Sequence, residues 1–203
     1  LNLLDIDDTH SQQRRDRIQQ SIDAQRDHFF MLGMDLGVCY DGALIQTCPE
    51  EAPQNNYRAS EYNPSSAAGN RLPHCWLQEG DKQLSTHDIV ASVKLTLLTT
   101  SDGYQQWAQA LTDTGTDNIE MQIIGSEHLA PADDGWETLI GIKQYGALLI
   151  RPDRHIAFST DKFSEDAWVE LSQLLKNYQE NDYDKRLGYA AEAILPSLAL
   201  KLE

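Results

Sequence analysis

Residues 146–158 read Gly-Ala-Leu-Leu-Ile-Arg-Pro-Asp-Arg-His-Ile-Ala-Phe, and this stretch restricts the fold more than any other. The unbroken apolar run Ala147, Leu148, Leu149, Ile150 suits a strand covered on both faces. Arg151-Pro152-Asp153-Arg154 interrupts it with turn chemistry, and an extended pattern resumes from His155 to Phe158. A strand, a turn and a second strand are therefore expected within thirteen residues.

The preceding segments supply partners for that hairpin. Residues 89–100 form a β-branched and leucine-rich run suited to a strand, 105–111 predict a helix, and 119–124 a second buried strand. A helical crossover between strands implies a parallel pair, to which the hairpin adds an antiparallel strand. A last helix follows, with Ser164 as its cap, Glu165 and Asp166 at its positive end, and Phe163 stapling onto Trp168. Trp168, Leu171, Leu174, Leu175 and Tyr178 make its apolar face. The expected fold class is α/β: a thioredoxin-like mixed sheet flanked by helices, preceded by one long helix and an irregular connector.

That long helix is expected over residues 12–32, where Ile18, Ile22, Phe29 and Leu32 recur at helical spacing, with Thr9 and Gln12 as a capping box and Gly33 as a stop. Its single apolar stripe needs a partner surface, and would be left exposed if that partner were missing. Residues 46–74 contain Pro49, Pro53, Pro64 and Pro73, which argue against a continuous helix or central strand.

Composition narrows the function classes. The 203 residues carry a formal net charge of −16, which repels phosphate backbones and anionic membranes, so neither nucleic acid nor a membrane is an expected partner. The longest apolar stretch, 194–202, falls short of a membrane span and contains Pro196 and Ser197. Cys39, Cys48 and Cys75 share no Cys-x-x-Cys or metal spacing, which favours reduced thiols in a cytoplasmic setting. No secretory leader is visible. Leu1 in place of Met, with a terminal Leu202-Glu203 that reads as a cloning scar, leads us to expect a piece of a longer protein.

Several ordered motifs resemble the C-terminal portion of FAD-dependent aromatic-ring hydroxylases of the phenol hydroxylase type. Gly69-Asn70-Arg71-Leu72-Pro73-His74-Cys75-Trp76-Leu77 is similar to that family's Gly-x-Arg-x-Pro-His-x-Trp-Leu segment. Leu84-Ser85-Thr86-His87-Asp88, Leu97-Leu98-Thr99, Arg151-Pro152-Asp153 and His155-Ile156-Ala157 continue it, and Gln25, His28-Phe29, Leu32-Gly33, Leu36-Gly37 and Tyr40 resemble the helix that leaves the flavin domain. Three positions depart from the family: Arg154 stands where Gly is common, Phe158 where Trp is, and Ala68 where Pro is. A non-glycine residue at positive φ costs on the order of 1 kcal/mol, which a different turn type at Arg154 would avoid.

The resemblance implies a parent enzyme that binds FAD, is reduced by NADH or NADPH, and inserts one oxygen atom from O2 into a phenolic ring. It implies a division into residues 1–45 as the end of a truncated flavin domain, 46–83 as connector and 84–180 as a thioredoxin-like domain without redox cysteines; residues 181–203 have no counterpart in the family and are expected to be a C-terminal tail with a helix over 184–195, closed by Pro196, and the cloning scar. No Gly-x-Gly-x-x-Gly fingerprint occurs, so no catalytic, cofactor-binding or metal residue is expected here and the piece alone should be inactive. The region where a thioredoxin carries its cysteines reads Thr100-Ser101-Asp102-Gly103-Tyr104, so the fold is expected to serve packing. Arg71, His74 and Trp76 are the candidate interface residues, against the parent's own N-terminal flavin domain or a homodimer mate. The plainer expectation is that Trp76 packs in the core and His74 bonds to backbone.

Two rival classes remain in view. Asp5-Ile6-Asp7-Asp8-Thr9 resembles the Asp-x-Asp-x-Thr loop of haloacid dehalogenase-type phosphatases, with Asp5 as nucleophile, Asp7 as acid and base, and Mg²⁺ to neutralise charge. Only four residues precede Asp5, too few for the buried strand that chemistry needs. The other rival is an independent binding or dimerisation module. His10, His28, His74, His87, His128 and His155 show no zinc spacing, and Ser65-Ser66 lacks a nucleophile elbow.

Overall fold

A computed structural model of the chain describes residues 8–29, 31–46, 59–114, 118–126 and 129–180. Asp5 and Asp7, Cys48, His128 and the 181–203 tail lie outside the described residues, as does the side chain of His28.

The sheet follows the expected pattern. Strands β3 (Leu95–Thr100), β4 (Ile119–Ile124), β6 (Ala147–Ile150) and β7 (Ile156–Thr160) pair in the order β4-β3-β6-β7. The β3–β4 pair is parallel, joined through helix α3 (Tyr104–Thr114), while β6 is antiparallel to both β3 and β7. Every residue of β6 is buried, and its side chains alternate between two cores. Ala147 and Leu149 face one cluster with Leu97, Trp107, Phe158 and Leu171, packed by α3 and by α5 (Glu165–Glu180). Leu148 and Ile150 face the other, with Leu72, Leu77, Leu98, Trp136 and Ile156. An apolar run without alternation is what a strand sandwiched between two layers requires.

The second layer departs from expectation. Within the segment read as connector, β1 (Trp76–Glu79) pairs with β2 (Lys82–Ser85) and with β5 (Ala130–Pro131) in a separate three-stranded sheet. The short helix α4 (Gly135–Leu139) brings Trp136 into the same core. The strand expected over 89–100 is shortened to β3. Ile89 and Val90 are buried, but Ala91 N–H donates to Thr96 Oγ1 at 2.9 Å, so the chain turns onto the start of β3 before it enters the ladder.

Helix α1 (Thr9–Phe29) is capped by Asp8 rather than by the expected Thr9 and Gln12. Asp8 Oδ1 accepts from Ser11 N–H at 2.7 Å, and its carbonyl accepts from Gln12 N–H at 3.0 Å. A carboxylate reaching the third amide satisfies an orphan donor and favours the helix dipole. Ile18, Ile22 and Phe29 remain exposed, Phe29 by 77 %, so the apolar stripe is uncovered as expected. A short helix α2 (Leu32–Leu36) then leads to Ile45, which is buried in the α3–α5 core. Gln46 N–H donates to Ala157 O at 2.7 Å, and Gln46 Oε1 accepts from Ser159 N–H at 2.8 Å. The outer edge of β7 is thereby covered rather than left open for pairing. The end of the segment expected to belong to a flavin domain is thus built into this sheet.

Helix α5 matches its expected start and face. Ser164 Oγ accepts from Ala167 N–H at 3.2 Å. Leu171, Leu174 and Leu175 are buried, with Trp168 and Tyr178 partly buried beside them.

Candidate functional site

The segment carrying Arg71, His74 and Trp76 is fixed by backbone bonds to the β6–β7 hairpin. Gly69 N–H donates to Ile156 O at 2.7 Å, Ile156 N–H to Asn70 O at 2.9 Å, and Leu72 N–H to Arg154 O at 2.8 Å, while Arg71 bridges to His155. Gly69 sits at φ +90, and a Cβ there would lie 2.3 Å from Tyr40 O, so only glycine lets the exit segment cross this closely. Tyr40 N–H returns a bond to Gly69 O at 2.9 Å.

Leu72 and Cys75 anchor the segment in the core. Thr86 Oγ1 donates to Pro73 O at 2.8 Å and accepts from Cys75 N–H at 3.1 Å. His87 Nε2 lies 2.8 Å from Leu72 O. A carbonyl can only accept, so Nε2 carries the hydrogen and Nδ1 is the free acceptor of the neutral ring. Burial, partly opposed by that bond, holds the His87 imidazole below its ordinary 6.5, with the charges of Arg71, Arg154 and His74 acting in the same direction as burial.

Strand alternation then decides what faces out. Leu77 is fully buried, so Trp76, its neighbour on β1, projects from the opposite face and is 43 % exposed. His74 is also exposed, and its ring meets Trp76 edge-on with centroids 4.7 Å apart. The His74 and His87 rings lie 6.1 Å apart. It is His87, not His74, that bonds to backbone, and the core position falls to Leu77 rather than Trp76. Arg71 is half-buried on the adjoining segment. The structure thus brings His74, Trp76 and His87 together through ring contacts, ties Arg154 to His87 O, and sets Arg71 on the adjoining segment bridged to His155; sequence reasoning did not place His87 and Arg154 there.

Arg154 closes the hairpin. Its N–H donates to Arg151 O at 2.8 Å, and Arg151 N–H donates to His155 O at 2.8 Å, enclosing Pro152, Asp153 and Arg154 in a three-residue loop. Arg154 adopts φ 67, alone among the described non-glycine residues. The glycine-type turn is kept, and no alternative turn type replaces it. Its guanidinium Nε donates to His87 O at 3.4 Å. Arg151 is engaged elsewhere, paired with Asp153 and lying 5.3 Å over the Tyr40 ring.

The two cysteines described are poor nucleophiles. Burial, with Asp133 nearby, pushes the Cys75 thiol up to about 11, and burial also raises Cys39. Neither lies at the start of α3, where a helix N-terminus could activate a thiol. Among the described residues no group of three or more His, Cys, Asp or Glu side chains could hold a metal ion, and no helix is long and apolar enough to cross a membrane.

A family model described as aromatic-ring hydroxylase, C-terminal, matches residues 65–178. The chain belongs to that family. Phenol 2-monooxygenase from Pseudomonas sp. (strain EST1001) is 26 % identical over 167 residues, covering 80 % of this chain and 27 % of that protein. 2,4-Dichlorophenol 6-monooxygenase from Delftia acidovorans is 24 % identical over 173 residues, covering 82 % of this chain and 29 % of the relative. Among solved structures, the flavin-dependent monooxygenase PieE in complex with FAD and substrate superposes with a TM-score of 0.72 at 27 % identity, over 87 % of this chain and 31 % of PieE. Aklavinone-11 hydroxylase with FAD and aklavinone gives 0.59 at 26 % identity, over 72 % of this chain and 27 % of that one. The chain spans less than a third of the length of these relatives.

Two open clefts lie on the described residues: one carries Asp166 and Glu170, the other Glu79, Asp88 and Glu120 with Lys82.

Proposed function

We propose that this chain is the C-terminal assembly domain of an FAD-dependent monooxygenase that hydroxylates a phenolic or related aromatic ring with NADH or NADPH and O2. It performs no chemistry alone. Residues 84–180 act as a thioredoxin-like unit without redox cysteines, the part of 46–83 from Gly69 on is built onto that unit's core, the stretch before it connects to a flavin domain, and 1–45 carry the last helix of that domain. The parent is cytoplasmic, and its flavin domain, with a homodimer mate as second partner, covers what this chain leaves open.

One observation carries the reading: the exposed His74 and Trp76, with the half-buried Arg71, stand on a rigidly bonded scaffold, while Ile18, Ile22 and Phe29 of the α1 stripe are exposed. An exposed Trp and a half-buried Arg on fixed backbone match the composition of interface centres. When bound to the parent, FAD supplies the oxygen chemistry, and this chain's residues contribute position only.

The test is the full-length parent with Arg71→Ala and Trp76→Ala. We expect loss of flavin on gel filtration, or a change in oligomer size, with the isolated chain still folded. Unchanged flavin retention and unchanged size would remove the proposal.

A further inference from the structure

The Arg71 edge holds more positive charge than it uses. Arg151 is neutralised by Asp153, but Arg154 commits only its Nε, to His87 O. For the Arg71 guanidinium no hydrogen bond or ion pair is found among the described residues. The backbone brings the two arginines together: Leu72 N–H bonds to Arg154 O, and Arg71 bridges to His155. Both charges bear on the half-buried ring of His87, a residue whose carbonyl accepts from Arg154 Nε and whose Nε2 bonds to Leu72 O next to Arg71. A guanidinium presents five donors in a planar fork suited to a carboxylate. In a chain of net charge −16, two such forks without a carboxylate partner among the described residues are a local inversion of the surrounding field.

We propose that Arg71 and Arg154 form a two-guanidinium site for a carboxylate side chain presented by the flavin domain of the parent protein, with Trp76 and His74 as its aromatic rim. This rests on the assembly reading above and names the chemistry of its seam. The acidic surface of this chain disfavours a polyanion such as nucleic acid, because the whole ligand would experience that field, whereas one carboxylate inserted between two arginines experiences mainly them. The relatives are covered over only 27–31 % of their length, so most of a parent of this kind lies outside this chain and can supply the acid. Arginine and tryptophan are also the side chains in which interface binding energy concentrates.

Amide exchange, measured on the full-length parent and on the 203-residue chain across NaCl concentrations, tests it. Residues 69–77 and 84–88 should be protected in the parent relative to the chain alone. That extra protection should fall several-fold between about 0.05 and 0.5 M salt, over which the screening length shrinks from roughly 14 to 4 Å. Arg71→Gln with Arg154→Gln should abolish the salt dependence, while Trp76→Ala should weaken protection and leave the salt dependence in place. Protection that is present but insensitive to salt and to both arginines overturns the carboxylate site and leaves the seam standing. Absence of extra protection overturns both. Protection that appears in the isolated chain with rising concentration makes the occupant a second copy, and overturns the assignment to the flavin domain. The wild-type salt series decides the matter even if the double variant does not fold.

Discussion

Arg154→Gly isolates the conformational strain at the hairpin turn. Arg154 holds φ 67, in the left-handed region, where a side chain costs on the order of 1–2 kcal/mol that glycine does not. Its bond to His87 O is 3.4 Å long and exposed, too stretched to offset much of that. Against the gain stands the greater freedom of glycine in the unfolded chain, about 0.5–1 kcal/mol. The net expectation for the 203-residue chain is stabilisation by about 0.5–1 kcal/mol, a rise in Tm of about 1–4 °C for a domain of this size. Urea unfolding with an unchanged slope is the assay. Destabilisation by more than about 1 kcal/mol would refute the argument, since it would mean that the Arg154 side chain, not the backbone, holds the turn. In the full-length parent the same change should weaken docking, so stability of the isolated chain and strength of assembly should move in opposite directions.

Trp107→Ala should cost about 3–5 kcal/mol in urea unfolding, because the ring is fully buried, meets Phe163 edge-on at 4.8 Å and donates from Nε1 to Tyr145 O; a loss under about 1 kcal/mol would contradict the packing. Gly69→Ala should destabilise by roughly 1–3 kcal/mol through its φ of +90 and the Tyr40 carbonyl in its way, and a neutral result in the same melt would show that the exit segment does not cross there. His87 and His155 are both held below the ordinary 6.5, chiefly by burial. The unfolded state therefore binds more protons, the stability they contribute is full above 6.5, and it falls as pH drops through that value toward the folded ones. The urea midpoint should accordingly be lower at about pH 5.5 than at about pH 7.5, and His87→Gln should reduce the difference; an unchanged difference in the variant would remove His87 from the account.

The parts of the fold legible in the sequence are those where periodicity has one solution. Ala147 to Ile150 is apolar without alternation and proves to be the strand buried on both faces, and Leu171, Leu174 and Leu175 fix the face of α5. The β1–β2 hairpin escaped because only Leu77 of its first strand is fully buried, and four residues beside a proline carry too little pattern to register. Ile89 and Val90 misled in the other direction: a core loop needs apolar side chains as much as a strand does, and the turn onto Thr96 Oγ1 leaves no periodic trace. At the candidate site, Arg71, His74 and Trp76 stood out by residue type, but their exposure follows from the β1 pleat. Arg154 and His87 join them only through the bonds that bring residues 69–72 onto the hairpin. The signal that could have found Arg154 was its departure from glycine at a turn.

Hydroxyl-radical footprinting of the full-length parent beside this chain tests most directly whether the open surfaces are covered in assembly. Ile18, Ile22, Phe29 and Trp76, all exposed here, should be labelled several-fold more slowly in the parent, while Val93, exposed and not among the proposed seam residues, should react alike in both. Equal labelling of the four residues in parent and chain would contradict the account.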